Sequence, residues 1–338
     1  MSNQTILLAS RPQGKPTAEQ FRFEDQPMPQ PAKGEVLLKT LYVSVDPYMR
    51  GRMNEGKSYT PPFTVGEPIS GGIVAEVTAS QHPQLPVGAV VVGNLAWRAY
   101  NLSDGKGLQR VPADSSAPIS YYLGILGMPG LTAYFGLLDI CQPKAGETVV
   151  VSGAAGAVGS VVGQLAKIQG TRVVGTAGSD EKVAYLKDEL GFDEAINYKT
   201  TNDLSQALGA ACPQGIDCYF DNVGGPISDA VYAHLNHGAR IAICGQISMY
   251  NATETPTGPR PESKLLTTSS LMKGFIVSDY LPRWPEGVAA LTEWVQQGKL
   301  TFEETITEGF DQIPEAFLGL FKGENTGKAL VKVAEPSR

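Results

Sequence analysis

The stretch VVVSGAAGAVGS, residues 149–160, constrains the fold of this chain more than any other feature. It joins a continuous apolar strand to a helix through a turn with glycines at 153, 156 and 159. Short apolar strands then alternate with helical stretches: TRVVGTAG, EAINY, GIDCYFDNVG, ARIAICG and KGFIV. Because alternating strands and helices are joined by right-handed crossovers, we predict a parallel sheet covered by helices on both faces.

The glycine turn itself predicts a dinucleotide site. Glycines let the backbone approach a pyrophosphate, and the N-terminus of the following helix offers unpaired N–H groups and a positive dipole. The spacing is GxxGxxG rather than the commoner GxGxxG, so the strand–turn–helix context carries the interpretation. The alternative is a tight turn that only packs the helix against the strand.

The end of the next strand distinguishes between cofactors. NAD enzymes place an acidic residue about 20 residues after the glycine turn, where it binds the ribose 2′-hydroxyl. Here the strand ends in VVGTAGSDEK, with uncharged residues at 175–178 and Lys182 close behind. This arrangement favours a 2′-phosphate and therefore NADP(H). Without the missing acid, Lys182 would be interpreted as an exposed helix lysine.

The first 125 residues have a different pattern. Short alternating runs such as GEVLLKTLYVSV and GGIVAEVTA, separated by turn signals, are typical of a β-barrel or sandwich. A chain of 338 residues is long for one core, so two domains are expected. The tail IPEAFLGLFKGENTGKALVKV predicts a helix and a last strand that returns to the first domain.

Composition excludes several classes of partner. A formal net charge of −7 disfavours nucleic acid and anionic membranes. The apolar segment at 121–138 contains Pro129 and four glycines, so we interpret it as buried rather than membrane-spanning. The N-terminus lacks the pattern of a signal peptide, and the four cysteines show no CxxC pairing, so we expect a reduced, cytoplasmic protein.

A barrel-like first domain followed by a GAAGAVG-type dinucleotide-binding domain resembles the medium-chain dehydrogenase/reductase superfamily. Zinc alcohol dehydrogenases of that group carry a cysteine and a GHE histidine in the first domain. The matching stretches here hold Ser44, Val45 and Asp46, and then Glu67 and Pro68. His234 and His237, three apart on a predicted helix, have no third ligand near them in sequence. We therefore predict no catalytic zinc.

Further motifs narrow the resemblance. Five motifs are similar to those of the zinc-independent alkenal/one oxidoreductases, which include prostaglandin, plant double-bond and bacterial curcumin reductases. These motifs are DPYMRGRM, GMPGLTAYFGL, DNVGG, ICGQIS and GENTGKALV. The resemblance implies a GroES-like β-barrel-type domain at 1–125, completed by 305–338, and a Rossmann NADP-binding domain at 126–304. It also implies a homodimer and NADPH-dependent reduction of the C=C bond in small α,β-unsaturated carbonyl compounds.

The resemblance also implies a set of cofactor contacts. In this chain they fall on the glycine turn for the pyrophosphate, on a lysine and a tyrosine for the 2′-phosphate, and on later loops and the tail for the ribose and nicotinamide. The residues are Gly156, Ala157, Val158, Gly159, Lys182, Tyr198, Asn222, Cys244, Gly245, Gln246, Ile247, Ser248, Met249, Tyr250, Phe275, Ile276, Val277 and Asn325.

Two tyrosines are candidate catalytic residues. Hydride addition to the β-carbon leaves an enolate, whose oxygen needs hydrogen-bond donors rather than a metal. The family implies a ribose hydroxyl assisted by a tyrosine, here Tyr250 or Tyr48, and either tyrosine is alternatively a pocket-lining residue. Other functions left open are an NADPH:quinone oxidoreductase and a non-catalytic NADPH-binding protein.

Overall fold

The computed structural model describes residues 2–337 of the chain. These residues form two compact units. The first consists of the described parts of Met1–Leu123, Glu304–Asn325 and Ala329–Arg338, and the second of Gly124–Glu303 and Thr326–Lys328.

Fifteen strands are found in the described range. They are β1 (Ser2–Leu8), β2 (Phe21–Pro27), β3 (Val36–Ser44), β4 (Ser70–Ser80), β5 (Val90–Ala96), β6 (Tyr100–Ser103), β7 (Gln109–Arg110), β8 (Thr148–Val151), β9 (Arg172–Ala177), β10 (Glu194–Asn197), β11 (Ile216–Asp221), β12 (Leu235–Ile243), β13 (Leu271–Gly274), β14 (Glu304–Glu308) and β15 (Lys328–Lys332).

Nine α-helices lie in the same range: α1 (Met49–Arg52), α2 (Met128–Phe135), α3 (Gly159–Ile168), α4 (Asp180–Ala184), α5 (Leu204–Ala211), α6 (Gly225–Tyr232), α7 (Glu262–Thr268), α8 (Trp284–Gln296) and α9 (Ile313–Gly319). Two π-helical segments (Gly136–Cys141 and Tyr185–Glu189) continue α2 and α4. Short 3₁₀ segments are Ala18–Gln20, Ile119–Leu123, Ile247–Met249, Val277–Arg283 and Phe310–Gln312.

The second unit is built on a six-stranded sheet in the order β10-β9-β8-β11-β12-β13. Every pair of neighbouring strands runs parallel. The chain order reverses between β8 and β11, and ligands of such sheets bind outside the carboxyl ends of the strands at this switch point. The predicted doubly wound α/β fold is confirmed. The glycine turn directly follows β8 and therefore lies at the switch point.

Local sequence explains the elements beside that point. All four residues of β8 are buried, as expected for a central strand covered on both faces. Ser179 caps α4 by accepting a hydrogen bond from the Lys182 amide at 3.3 Å, as predicted. Gly191 then follows the π-helical continuation of α4 with φ of 69°.

The first unit holds a two-stranded sheet, β1-β2, and a seven-stranded sheet in the order β14-β15-β3-β4-β5-β7, with β6 also paired to β3. Its core includes an aromatic cluster in which Trp97 and Phe317 have ring centroids 6.4 Å apart. The last strand pairs antiparallel with β3, with Leu330 opposite Ser44. The chain end therefore returns to the first unit, as predicted.

Two details of the sequence interpretation are wrong. His237 lies in β12 and His234 in the turn before it, rather than both on a helix, because Leu235 already pairs with Ile216 of β11. The strand predicted over KGFIV ends at Gly274. Phe275 and Ile276 follow it in irregular backbone, and Val277 begins a 3₁₀ segment.

A glycine near the start of α2 gives a test of packing. A Cβ atom on Gly130 would lie 1.8 Å from the carbonyl oxygen of Ile125. We expect Gly130→Ala to destabilise the protein by about 2 kcal/mol, because the backbone must move, and to lower its melting temperature by roughly 4–8 °C. Gly274→Ala is the control in the same unit, since nothing lies within 4 Å of its Cβ position. Equal melting temperatures for the two variants would contradict this packing.

Candidate functional site: a dinucleotide cleft in the second unit

The turn between β8 and α3 has the backbone geometry that a pyrophosphate site needs. Gly153 adopts φ of 59°, which side-chain-bearing residues rarely adopt. A Cβ on Gly159 would lie 2.4 Å from the Gly153 carbonyl oxygen, so the helix meets the turn closely only because this residue is glycine. The first amides of a helix have no intrahelical acceptor. The predicted residues 156–159 thus lie together at the start of α3.

The segment 326–328 also lies along this turn. The amide of Gly327 donates to the carbonyl oxygen of Ala155 at 2.8 Å, and Gly327 forms a parallel bridge with Gly156. Asn325 precedes this segment directly but belongs to the first unit. Its contact with a cofactor therefore remains a prediction.

Three polar side chains meet at the ends of β9 and β10. A Cβ atom built on Gly178 would lie 3.0 Å from the Tyr198 hydroxyl and 3.4 Å from Lys199 Nζ. Burial lowers the pKa of Lys182, and the charge of Lys199 lowers it further, so the two ammonium groups interact. Lys182 and Tyr198 were predicted from the sequence, whereas Lys199 was missed. We call Lys182, Tyr198 and Lys199 the cationic cluster.

The DNVGG turn after β11 is organised by the buried side chain of Asp221. The amides of Val223 and Gly224 donate to its carboxylate at 2.9 and 2.8 Å, and the Ser152 hydroxyl donates at 2.9 Å. The side-chain amide of Asn222 donates to the Ser152 carbonyl oxygen at 2.8 Å. The turn predicted to lie by the ribose is thereby fixed to the end of β8.

The loop after β12 is fixed to the same turn. The amides of Cys244 and Gly245 donate to the carbonyl oxygen of Asp221 at 2.9 and 3.0 Å. Ser248 donates to the Val223 carbonyl oxygen through its amide at 3.1 Å and through its hydroxyl at 2.6 Å. The predicted residues from 244 onward therefore lie at the carboxyl edge of the sheet.

A pocket of about 380 Å³ opens at this edge. Six of the predicted contact residues line it: Cys244, Gly245, Gln246, Tyr250, Phe275 and Ile276. The remaining lining residues are Ile243, Gly274 and Asp279. The sequence had no signal for Asp279, because its position depends on the chain leaving the sheet after Gly274. Val277, Ile247, Ser248 and Met249 are not among the lining residues.

Tyr250 has its hydroxyl turned toward its own loop. The amide of Gln246 donates to the Tyr250 oxygen at 3.3 Å. Burial raises the pKa of Tyr250, so the phenol keeps its proton at neutral pH. Accepting one hydrogen bond polarises the O–H bond of Tyr250 and makes this hydroxyl a stronger donor to another group. Tyr250 is therefore a hydrogen-bond donor at the pocket wall.

Tyr48 lies in the first unit, directly before α1. Burial raises the pKa of Tyr48 far above its usual value, the Asp46 carboxylate raises it further, and a hydrogen bond with Arg52 lowers it. Ser44 donates to the buried Asp46 carboxylate. A catalytic contact of Tyr48 remains a prediction.

Among residues 2–337, no group of three or more His, Cys, Asp and Glu side chains is arranged to hold a metal ion. In that same range, every helix is too short or too polar to cross a bilayer.

The comparisons with known proteins give the family. Residues 4–111 match the model of the N-terminal domain of oxidoreductases, and residues 157–294 match that of zinc-binding dehydrogenases. A relative from Bacillus subtilis (strain 168), named "Putative NADP-dependent oxidoreductase YfmJ", is 63% identical, with 99% of each chain covered. The chain belongs to the medium-chain dehydrogenase/reductase family. The predicted class, an NADP-dependent oxidoreductase, is confirmed by its relatives.

Other relatives agree with the narrower resemblance. Prostaglandin reductase 1 of Rattus norvegicus is 50% identical, with 97% of this chain and 98% of that protein covered. The NADPH-dependent curcumin reductase of Escherichia coli (strain K12) is 45% identical, with 98% and 97% covered. A crystal structure of CurA from Vibrio vulnificus with NADPH has a TM-score of 0.94 at 47% identity, covering 98% of this chain and 100% of CurA. The predicted resemblance to this branch is confirmed.

The cysteines of the site allow a test of its electrostatics. Burial and the Asp221 carboxylate raise the pKa of Cys244 to about 12, and burial raises that of Cys212 to about 11. At pH 8 a thiol of pKa about 12 is roughly 0.01% ionised, against about a quarter for an unperturbed cysteine. We expect iodoacetamide to label Cys244 at least ~100-fold more slowly than free cysteine.

Mass spectrometry of the labelled protein measures these rates. The control is the same reaction in denaturant, where all four cysteines should react. Labelling of Cys244 in the folded protein at the rate of free cysteine would contradict the burial of its thiol.

Proposed function

We propose that this oxidoreductase uses NADPH to saturate the α,β carbon–carbon double bond of small conjugated enones and enals, without a metal. The observation that carries the proposal is the placement of the cationic cluster and the 380 Å³ pocket on one sheet edge, on either side of the glycine turn. NADPH needs these three features in this order along the edge: a cationic site for the 2′-phosphate, a glycine turn for the pyrophosphate and a pocket for the nicotinamide.

The cofactor preference rests on the charges at the end of β9. The strand ends at Ala177 and is followed by Gly178 and Ser179, so no carboxylate occupies the usual position of the ribose-binding acid. Lys182, Tyr198 and Lys199 all supply donors there. Burial and the charge of Lys199 both lower the pKa of Lys182, and a dianionic 2′-phosphate that pairs with both lysines would offset these costs.

The rest of the dinucleotide has matching partners. The α3 N-terminus and the amides of residues 157–159 suit the pyrophosphate, while the Gly156 amide donates within the turn to the Gly153 carbonyl oxygen at 3.1 Å. Asn222 suits the ribose, and the pocket walls from Cys244, Phe275 and Ile276 suit the flat nicotinamide ring. Asn325 and Val277 are included because the family resemblance implies them.

Residues of the pocket then supply what the substrate needs. The chemistry supplied by bound NADPH is donation of a hydride to the β-carbon of the conjugated carbonyl, whose oxygen then carries the enolate charge. A proton from solvent water, added at the α-carbon, completes the saturation. Tyr250 keeps its proton and donates a hydrogen bond to that oxygen, which stabilises the charge as it forms. Burial of the phenol makes this bond stronger than it would be in water. Tyr48 is the second candidate donor.

Relatives with related activities support the substrate class. The NADPH-dependent curcumin reductase and prostaglandin reductase 1 have been described above, and a 2-alkenal reductase of Nicotiana tabacum is 43% identical over 99% of this chain and 98% of that protein. A quinone oxidoreductase and a non-catalytic NADPH-binding protein are the alternatives. The homodimer, the cytoplasmic location and the domain limits at 125 and 304 remain predictions.

Product analysis tests the proposed reaction. The protein is incubated with NADPH and a simple enone, and the product is identified by NMR. We expect the saturated ketone with its C=O bond intact, formed equally well in excess chelator, because the oxyanion is stabilised by hydrogen bonds. An allylic alcohol as main product, or loss of turnover that zinc restores, would contradict the proposal. No product from enones but NADPH oxidation with quinones would favour the first alternative.

Cofactor preference tests the cationic cluster. Lys182→Ala and Lys199→Ala should each raise the KM for NADPH about 3- to 10-fold and leave that for NADH nearly unchanged, because a partly screened charge pair is lost. Lys187→Ala is the control: Lys187 follows α4 in the same helical stretch but pairs with Glu194 at 3.1 Å. Equal losses for both cofactors, or the same effect from Lys187→Ala, would contradict this assignment.

A further inference from the structure

The carboxylate of Asp221 is a buried charge that the proposed reaction does not yet use. Its residue is 1% exposed. Besides the donors described above, Tyr219 donates to it at 2.9 Å and Ser228 at 2.6 Å. In the described part of the chain its partners are hydroxyls and backbone amides, and it has no ion pair with a basic side chain.

The hydrogen-bond directions match a carboxylate that accepts on both oxygens. Backbone amides can only donate, so Val223 and Gly224 need an acceptor. The Ser152 hydroxyl accepts from the backbone amide of Asn222 at 2.9 Å, which leaves its own proton for Asp221. The carboxylate oxygens can thus serve as acceptors in each of these bonds. The negative charge is therefore solvated by the protein rather than cancelled by a cation.

The field of this charge reaches the pocket. The carbonyl oxygen of Asp221 accepts the amides of Cys244 and Gly245, and both residues line the pocket. Burial is the main cause of the raised pKa of Cys244 and of Tyr250, and the Asp221 carboxylate adds to both shifts. A buried charge acts strongly on the groups around it because little water screens it.

The two redox states of the cofactor differ in charge at the position that this field reaches. The nicotinamide ring of NADPH is neutral, and loss of a hydride leaves the ring of NADP⁺ with one positive charge. A nearby fixed anion stabilises only the second state. By thermodynamic linkage, if the site binds NADP⁺ more tightly than NADPH, bound NADPH becomes a stronger hydride donor by the same free energy.

We propose that Asp221 determines the redox-state preference of the cofactor site, by holding an uncompensated negative charge behind the nicotinamide pocket. This inference rests on the proposed function, since it needs NADPH in this cleft. Asp221 touches neither cofactor nor substrate in the proposal. It acts through its charge, while its hydrogen bonds position the turn.

Asp221→Asn separates the charge from the hydrogen bonds. The amide is nearly the same shape, and its oxygen can accept the bonds now made by the backbone amides. The matched control is Asp217→Asn on the same strand, four residues earlier and therefore about 13 Å from Asp221 along β11. Asp217 also accepts a backbone amide, that of Thr148, at 2.8 Å.

Isothermal titration calorimetry of each folded variant with NADP⁺ and with NADPH gives the two dissociation constants. We expect Asp221→Asn to raise the ratio of the Kd for NADP⁺ to the Kd for NADPH about 5- to 10-fold, and Asp217→Asn to leave it within about twofold of wild type. Equal loss of both affinities in Asp221→Asn would overturn the inference and make Asp221 a scaffold residue only.

A second variant keeps the test decisive if Asp221→Asn does not fold. Ser228→Ala removes one donor and keeps the charge, so the ratio should stay within about twofold of wild type or fall. A rise would overturn the inference. Failure of the wild-type protein to bind either nucleotide would instead reject the proposed function, so the two failures are distinguishable.

Discussion

The hydrogen bond from Ser152 to Asp221 joins the ends of β8 and β11, the two strands between which the sheet order reverses. The glycine turn follows the first strand and the DNVGG turn follows the second. Because both turns are anchored to this bond, the glycine turn and the DNVGG turn have a fixed spacing. The loop after β12 is fixed to it in turn, through the Asp221 carbonyl oxygen.

Charge is distributed unevenly along this edge, and the distribution follows the ligand that we propose. Two lysines lie at the β9–β10 end, where a phosphate would be bound, and a carboxylate lies buried at the β11–β12 end, where a nicotinamide would be. The protein carries a net charge of −7, so the local lysines rather than the overall charge select a dianion. Hydroxyls and backbone amides supply the hydrogen-bond donors to this carboxylate, and among the described residues it has no ion pair.

Local patterns explain what the sequence could predict. The apolar run before the glycines, the helical spacing after them and the cap at Ser179 are each set within a few residues, and the structure has all three. The last strand was predicted to return to the first unit because the parallel sheet was already complete. Lys182 could be found because an expected acid was missing nearby.

Contacts between distant segments explain what the sequence could not predict. Lys199 joins Lys182 only because β10 pairs with β9, and Asp221 meets Ser152 only because β11 pairs with β8. Nothing local marks Lys199 as part of a site, and although Asp221 begins the DNVGG motif, nothing local predicts its bond to Ser152. The sequence interpretation places His237 on a helix, but the pairing of β12 with β11 puts it in a strand.

Isotope transfer tests the central claim most directly. An enone is reduced with NADPH in which both hydrogens at C4 of the nicotinamide are deuterium, and the position of the label is read by NMR. If the cleft holds the cofactor as we propose and the substrate oxygen is stabilised as an enolate, deuterium appears at the β-carbon of the saturated ketone. Deuterium at the carbonyl carbon, or a product without label, would contradict the account.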